Sequence, residues 1–261
     1  MTSYDLVVIG SGPGGCAAAL TAVRRGLRVG LIEREQWGGV CLNIGCIPTK
    51  ALLSVAHLLR RIRQAPQMGV KIHGCELDYE AVRARNQRII TTLRRGLTDV
   101  LRREGVEFIS GSAAFETSHR LLLTHEGRSQ QLEADRIVIA SGGRPQSGPW
   151  TFDAQRILSY RGLLELSTLP TSLLIIGGGV IGCEFASCFS AFGTQVTLVE
   201  QQAQLLPTED PEAVRWLTRR LEAQGVKVLT GTMVQQLDAS AGAVTAVLSN
   251  ETRLEADHCH L

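Results

Sequence analysis

Cys41 and Cys46 stand five positions apart in the stretch GGVCLNIGCIPTK, residues 38–50. A cysteine can pack as a small apolar residue, ligate a metal as thiolate, or trade electrons by closing a disulfide. The pair is open to all three readings: buried small residues, a metal clip, or a working redox couple. Pro48, Thr49 and Lys50 follow closely, so the stretch also carries a cation.

The surrounding pattern favours thiol chemistry. The two cysteines begin a helical run, CLNIGCIPTKALLSVAHLLRRI. A helix N-terminus is electropositive and lowers the pKa of a thiol placed there. With four residues between them, the cysteines can close a small strained ring, and such a disulfide is easy to reduce. Pro48 perturbs the first turns and helps set the geometry. A zinc site needs four ligands; the nearest extras, His73 and Cys75, lie in a separate segment without zinc spacing, so no metal is assigned.

Two segments read as dinucleotide-binding units. In YDLVVIGSGPGGCAAALTAVRRGLRVGLIERE, an unbroken apolar strand ends in Gly10, Gly12 and Gly15. A helix over about 14–25 and a second strand ending at Glu33 follow. Gly10 permits the tight turn, Gly12 lets a pyrophosphate approach the backbone, and Gly15 lets helix and strand pack closely. The helix start supplies N–H donors for phosphate, and the acid accepts from a ribose hydroxyl. LLIIGGGVIGCEFASCFSAFGTQVTLVE repeats the pattern with Gly177, Gly179, Gly182 and Glu200. A carboxylate at Glu200 repels a 2′-phosphate, and Gln201 and Gln202 rather than arginine follow it, so this half is expected to prefer NAD over NADP.

The rest of the chain bounds the answer. At 261 residues, 44% apolar and 20% charged, it is a normal globular chain of about two domains. The net charge of +2 says nothing about partners. From Tyr79 a long amphipathic helix is predicted, with Val82, Ile89, Ile90, Leu93, Leu97 and Leu101 at helical spacing. Its arginines are interspersed with acids and lack interleaved aromatics, so they read as a solvated face rather than a nucleic-acid surface. Short strands are predicted around VEFIS, SAAFE, RLLLT and RIVIA, before the linker ASGGRPQSGP. The N-terminus has no basic region of a signal peptide, and the longest apolar run, LLIIGGGVIG, is far short of a membrane span; a cytoplasmic location is expected. Cys16, Cys183 and Cys188 read as core packing. The final DHCHL reads as an unravelled terminus rather than a metal site. The expected fold is α/β with two Rossmann-like dinucleotide-binding domains, residues 1–148 and 149–261.

GGVCLNIGCIPTK resembles the redox-active segment of the flavin disulfide oxidoreductases, above all the dihydrolipoamide dehydrogenases. GSGPGG, IVIASGGRP, LLIIGGGVIGCEFA, VTLVE and LLPTEDPE resemble the same family in the same order, so the likeness covers essentially the whole chain. It implies FAD and NAD as cofactors. Cys46 would form the charge-transfer thiolate and Cys41 the interchange thiol. Lys50 would sit by the flavin, paired with Glu184 across the domain contact, because an uncompensated buried ammonium is costly. Val180 stands where glutathione reductases carry a gating tyrosine, which points away from that branch. The implied FAD set is Gly10, Gly12, Gly14, Gly15, Glu33, Gly39, Lys50, Ala113 and Gly142. The implied NAD set is Gly177, Gly179, Val180, Ile181, Gly182, Glu200 and Val234.

The resemblance also implies segments that follow residue 261: the rest of both domains, and a dimerisation domain carrying a His–Glu acid–base pair. Of the six histidines only His73 has a carboxylate five residues later, Asp78, and it lacks the family's flanking proline. The implied reaction passes electrons from dihydrolipoamide to NAD⁺. The implied partners are the lipoyl group of a 2-oxoacid dehydrogenase or glycine cleavage complex and a second copy of the chain. Two alternatives are a binding module with at most diaphorase activity, and a sister enzyme such as mercuric reductase.

Overall fold

The computed structural model describes residues 2–239 and 242–261. In chain order the elements are β1 (Thr2–Ile9), α1 (Pro13–Val23), β2 (Val29–Glu33), α2 (Gly39–Ile44), α3 (Cys46–Gln64), α4 (Tyr79–Arg103), β3 (Glu107–Ser110), β4 (Ser112–Thr117), β5 (Arg120–His125) and β6 (Arg128–Ile139). There follow β7 (Ile157–Leu158), α5 (Tyr160–Glu165), β8 (Ser172–Ile176), α6 (Val180–Phe192), β9 (Gln195–Val199), α7 (Pro211–Ala223), β10 (Lys227–Leu229), β11 (Val234–Asp238), β12 (Val244–Leu248), β13 (Arg253–Ala256) and β14 (His258–His260). The predicted strands and helices are present, except that the single helical run expected from Cys41 is broken at Gly45 into α2 and α3.

The chain forms two compact units, Met1–Pro48 with Gln87–Arg144, and Thr49–Asn86 with Pro145–Leu261. This division departs from a single cut after residue 148. The reason is amphipathicity. Leu52, Ala56 and Leu59 of α3 and Tyr79 of α4 are buried in one cluster with Phe185, Phe189 and Leu198, so the intervening segment joins the second unit's core.

The first unit is built on a sheet of order β3-β2-β1-β6-β5-β4. β1 lies between β2 and β6 and is parallel to both. Val7 and Val8 are fully buried, as an interior parallel strand requires. The second unit has a parallel sheet of order β10-β9-β8-β14-β7 and an antiparallel β11-β12-β13 sheet. The mixed six-stranded sheet and the parallel five-stranded sheet each place a glycine turn and a helix directly after an interior strand, so two Rossmann-like α/β halves are present.

The last residues are not unravelled. β14 pairs with both β8 and β7. Cys259 and His260 are buried, and His260 Nδ1 lies 3.1 Å from the Leu158 carbonyl with its ring edge-on to Phe185. Burial lowers the His260 pKa to about 4. Short apolar alternation was too weak a signal to reveal a strand whose partners lie so far back in the chain. The stretch Gly39–Met68 is long and apolar enough, by length and composition, to cross a membrane, but it carries both site cysteines and buries Leu52, Ala56 and Leu59 in a core.

Phe189 is almost fully buried and meets Phe185 and Phe192 edge to face. Phe189→Ala is expected to remove about 3–5 kcal/mol from the urea unfolding transition of the second unit.

Candidate active site

The site begins with two glycine turns. A methyl group on Gly15 would stand 1.8 Å from the Gly10 carbonyl oxygen, and one on Gly182 would stand 2.1 Å from that of Gly177. Only glycine permits this approach of helix to turn. Gly10 and Gly177 also hold positive φ angles, 101° and 114°. By contrast, the space where a Cβ on Gly12, Gly14 or Gly179 would lie is open. α1 and α6 are capped by Gly12 and Gly179, so no capping side chain meets the backbone N–H groups of their first turns. The residues fit a dinucleotide pyrophosphate.

The acids close each turn. Glu33 accepts from the Ser11 N–H and hydroxyl and from the Arg34 and Glu35 N–H groups, at 2.6–3.0 Å. Burial pushes the Glu33 pKa up, but the Ser11 hydroxyl and the three N–H donors outweigh it and hold the carboxyl below its ordinary range. Glu200 is buried and accepts from Gly178 and Gln202 N–H groups, both at 2.7 Å. Ala113 lies in β4, two residues past Gly111, whose N–H bonds the Glu33 carbonyl. Gly142 has φ 70° and follows Ser141, which backs onto Gly10. Val180 and Ile181 are exposed in the first turn of α6. Val234 is buried at the start of β11 among Leu174 and Val199, so its side chain belongs to a core.

The thiol segment is seated on the first turn. Gly39 lies so close to Gly12 that a methyl on it would come within 2.7 Å of the Gly12 Cα. The Gly38 N–H donates to the Ser11 hydroxyl at 3.0 Å. Ser11 therefore joins the acid to the thiol segment, a link invisible in a motif where that position is unspecified. Gly45 separates α2 from α3 and lets the chain fold closely over Val40 and Cys41, so that Cys46 starts α3 beside that turn. Cys41 is half-buried and Cys46 exposed.

Lys50 stands one turn beyond Cys46 on α3. Its Nζ lies 2.7 and 3.0 Å from the Glu184 carboxylate oxygens. The expected pair forms, but both residues belong to one compact unit rather than to two. Lys50 is 58% exposed, so the ammonium is not buried and the pair contributes at most about 1 kcal/mol.

The model of the pyridine nucleotide-disulphide oxidoreductases matches residues 4–261. The chain belongs to this family. Among its relatives, the dihydrolipoyl dehydrogenase of Bacillus subtilis is 38% identical over 239 residues, 90% of this chain and 52% of that protein. That of Zymomonas mobilis is 38% identical over 248 residues, 94% and 53%. The chain thus spans about half the length of the relatives it matches. Its structure resembles LpdA from Mycobacterium tuberculosis, with a TM-score of 0.89 at 28% identity over 100% of this chain and 58% of that one. It also resembles the flavoprotein disulfide reductase RclA from Escherichia coli, solved as a Cu(II) complex, with a TM-score of 0.86 at 30% identity over 100% and 56%.

Two further cysteines have an unexpected role. The Cys16 thiol donates to the Ser11 carbonyl at 3.0 Å, and the Cys183 thiol to the Gly178 carbonyl at 3.4 Å. Each directly follows the third glycine of its turn and satisfies a carbonyl of that turn. Burial raises both to a pKa of about 11, so neither is a nucleophile at neutral pH.

Because the Glu33 pKa is depressed in the folded chain, its stabilising effect is complete above the ordinary value of 4.5 and is lost as pH falls through the depressed value. Glu33→Gln is expected to lower the urea midpoint at pH 7, with the difference from wild type shrinking below about pH 4.

Proposed function

We propose that this chain takes part in the reaction of a dihydrolipoyl dehydrogenase, oxidising a dihydrolipoyl dithiol and reducing NAD⁺. Residues 1–148 would carry FAD and the redox pair, and residues 149–261 NAD. The observation that carries this reading is the seating of the thiol segment on a dinucleotide turn, through Gly39 on Gly12 and Gly38 on Ser11. A thiol pair fixed to a nucleotide turn is what electron exchange between the two requires. Bound FAD supplies the two-electron carrier between the sulfur pair and the nicotinamide.

The chain's own residues have the following roles in this reading. In the oxidised pair, Cys41 is the sulfur attacked by a substrate thiolate, which displaces Cys46 as thiolate. The second substrate thiolate then expels Cys41, leaving the substrate as a cyclic disulfide and both cysteines reduced. Gly12, Gly14 and Gly15 with the α1 N-terminus hold one pyrophosphate, and Gly177, Gly179 and Gly182 with that of α6 hold the other. Glu33 and Glu200 orient the adenosine riboses. Val180 and Ile181 border the nicotinamide end, and the Lys50 cation, with Glu184 as counter-ion, lies one helical turn from Cys46. The partner is a lipoyl group on a 2-oxoacid dehydrogenase or glycine cleavage complex, in the cytoplasm, with the enzyme acting as a homodimer.

The test is a visible absorption spectrum of the chain mixed with FAD, before and after anaerobic dithiol. A long-wavelength charge-transfer band that survives Cys41→Ser and disappears in Cys46→Ser is expected. A chain that takes up no FAD, or one whose spectrum is indifferent to Cys46, overturns the reading. Glu200→Ala is expected to narrow the preference for NADH over NADPH at least ~10-fold in direct binding, because the repelled 2′-phosphate no longer meets a carboxylate.

A further inference from the structure

α2 poses a stability problem. It has six residues, none of them buried, and its N-cap Gly38 offers no capping side chain. So short a helix has no stability of its own in water. Polar ties must therefore hold it. One is at its start, from the Gly38 N–H to Ser11.

The other is at its last turn. Asn43 donates through Nδ2 to the Trp37 and Gly39 carbonyls at 3.0 and 2.9 Å. Arg94, reaching from α4, donates through Nη1 to Gln36 Oε1 and to Asn43 Oδ1, the latter at 3.3 Å. One guanidinium thus bridges the residues before α2 to the turn that precedes Gly45 and Cys46. Both acceptors are side-chain amides, so the arginine is used for its directional donors rather than for a countercharge. Its own base is firm. Leu97 and Leu101 pack α4 into the first unit's core, and the Thr98 hydroxyl donates to the Arg94 carbonyl at 3.0 Å. Trp37 meets the Phe108 ring edge to face, with centroids 4.5 Å apart.

We propose that Arg94 is a positioning residue for the redox pair: it holds α2 so that Cys41 is presented to Cys46. This rests on the reading of Cys41 and Cys46 as a redox couple. Ordering α2 in advance raises the effective concentration of one thiol toward the other and so favours closure of the cystine. Both bonds leave Nη1, one bond farther along the side chain than a lysine Nζ reaches, so lysine is expected not to hold both acceptors.

The test is equilibration of the chain with glutathione buffers, with the Cys41–Cys46 cystine quantified by peptide mapping. Glutathione disulfide takes up two electrons and two protons from the two thiols, giving the cystine and two glutathione thiols. Arg94→Ala and Arg94→Lys are both expected to lower the cystine equilibrium constant ~10-fold, a midpoint about 30 mV less negative, while circular dichroism reports an unchanged fold. Asn43→Ala, which also loses the bonds to the Trp37 and Gly39 carbonyls, is expected to lower it at least as far, and the Arg94→Ala/Asn43→Ala double variant to add nothing beyond Asn43→Ala. Constants within about twofold of wild type overturn the inference, as does a change in Arg94→Ala that Arg94→Lys restores, which would assign the effect to charge. A wild-type chain that forms no Cys41–Cys46 cystine overturns the redox-couple reading itself.

Discussion

The closest constraint in the molecule is the approach of a helix to the turn before it. Gly15 and Gly182 have no room for a single carbon against the carbonyls of Gly10 and Gly177. That approach places the start of α1 or α6 over the end of its strand and frees N–H donors there. It also sets the turn at the distance from which Glu33 reaches Ser11 and Glu200 reaches Gly178. Beneath each turn a thiol donates to a turn carbonyl: Cys16 to Ser11, and Cys183 to Gly178, which also accepts from the Leu206 N–H.

The two halves use this shared device differently. After the first glycine, one turn has Ser11 and the other Gly178. A Cβ on Gly178 would press on Leu205 and Glu200, at 2.5 and 3.0 Å, so that turn is closed by its own unit. Ser11 is fully buried and turns its hydroxyl both to Glu33 and to Gly38. The first turn is thereby coupled to the segment bearing Cys41 and Cys46. α2, which carries Cys41, buries none of its residues. Hydrogen bonds tie it at both ends, from the Gly38 N–H to the Ser11 hydroxyl and from Arg94 to Asn43.

Burial also sorts the cysteines. Cys16, Cys183 and Cys188 are pushed up to pKa values of about 11 to 12 by desolvation, and Cys259 is raised by the same cause. Since the thiolate is the reactive form, these sulfurs are inert at neutral pH. Cys46 is exposed at the start of α3. Cys41, half-buried, and Cys46 and Cys75, exposed, are the cysteines that burial leaves accessible among the described residues.

By itself, the sequence determined what depends on near neighbours along the chain. Apolar runs marked β1 and β8, glycine spacing marked the turns that follow them, and the acids at Glu33 and Glu200 followed from the length of one helix and one strand. The cysteine spacing and its company marked the thiol segment. Tertiary structure alone decided the matters in which distant residues compete for the same space. It inserted β14 between β8 and β7, assigned residues 49–86 to the second unit's core, buried Val234, and left Lys50 exposed beside Glu184. It also brought Arg94 to Asn43, 51 residues apart. An arginine on an amphipathic helix reads as a solvated charge until the fold shows what lies opposite it, because hydrogen bonding depends on distance in space and a periodic pattern records only distance along the chain.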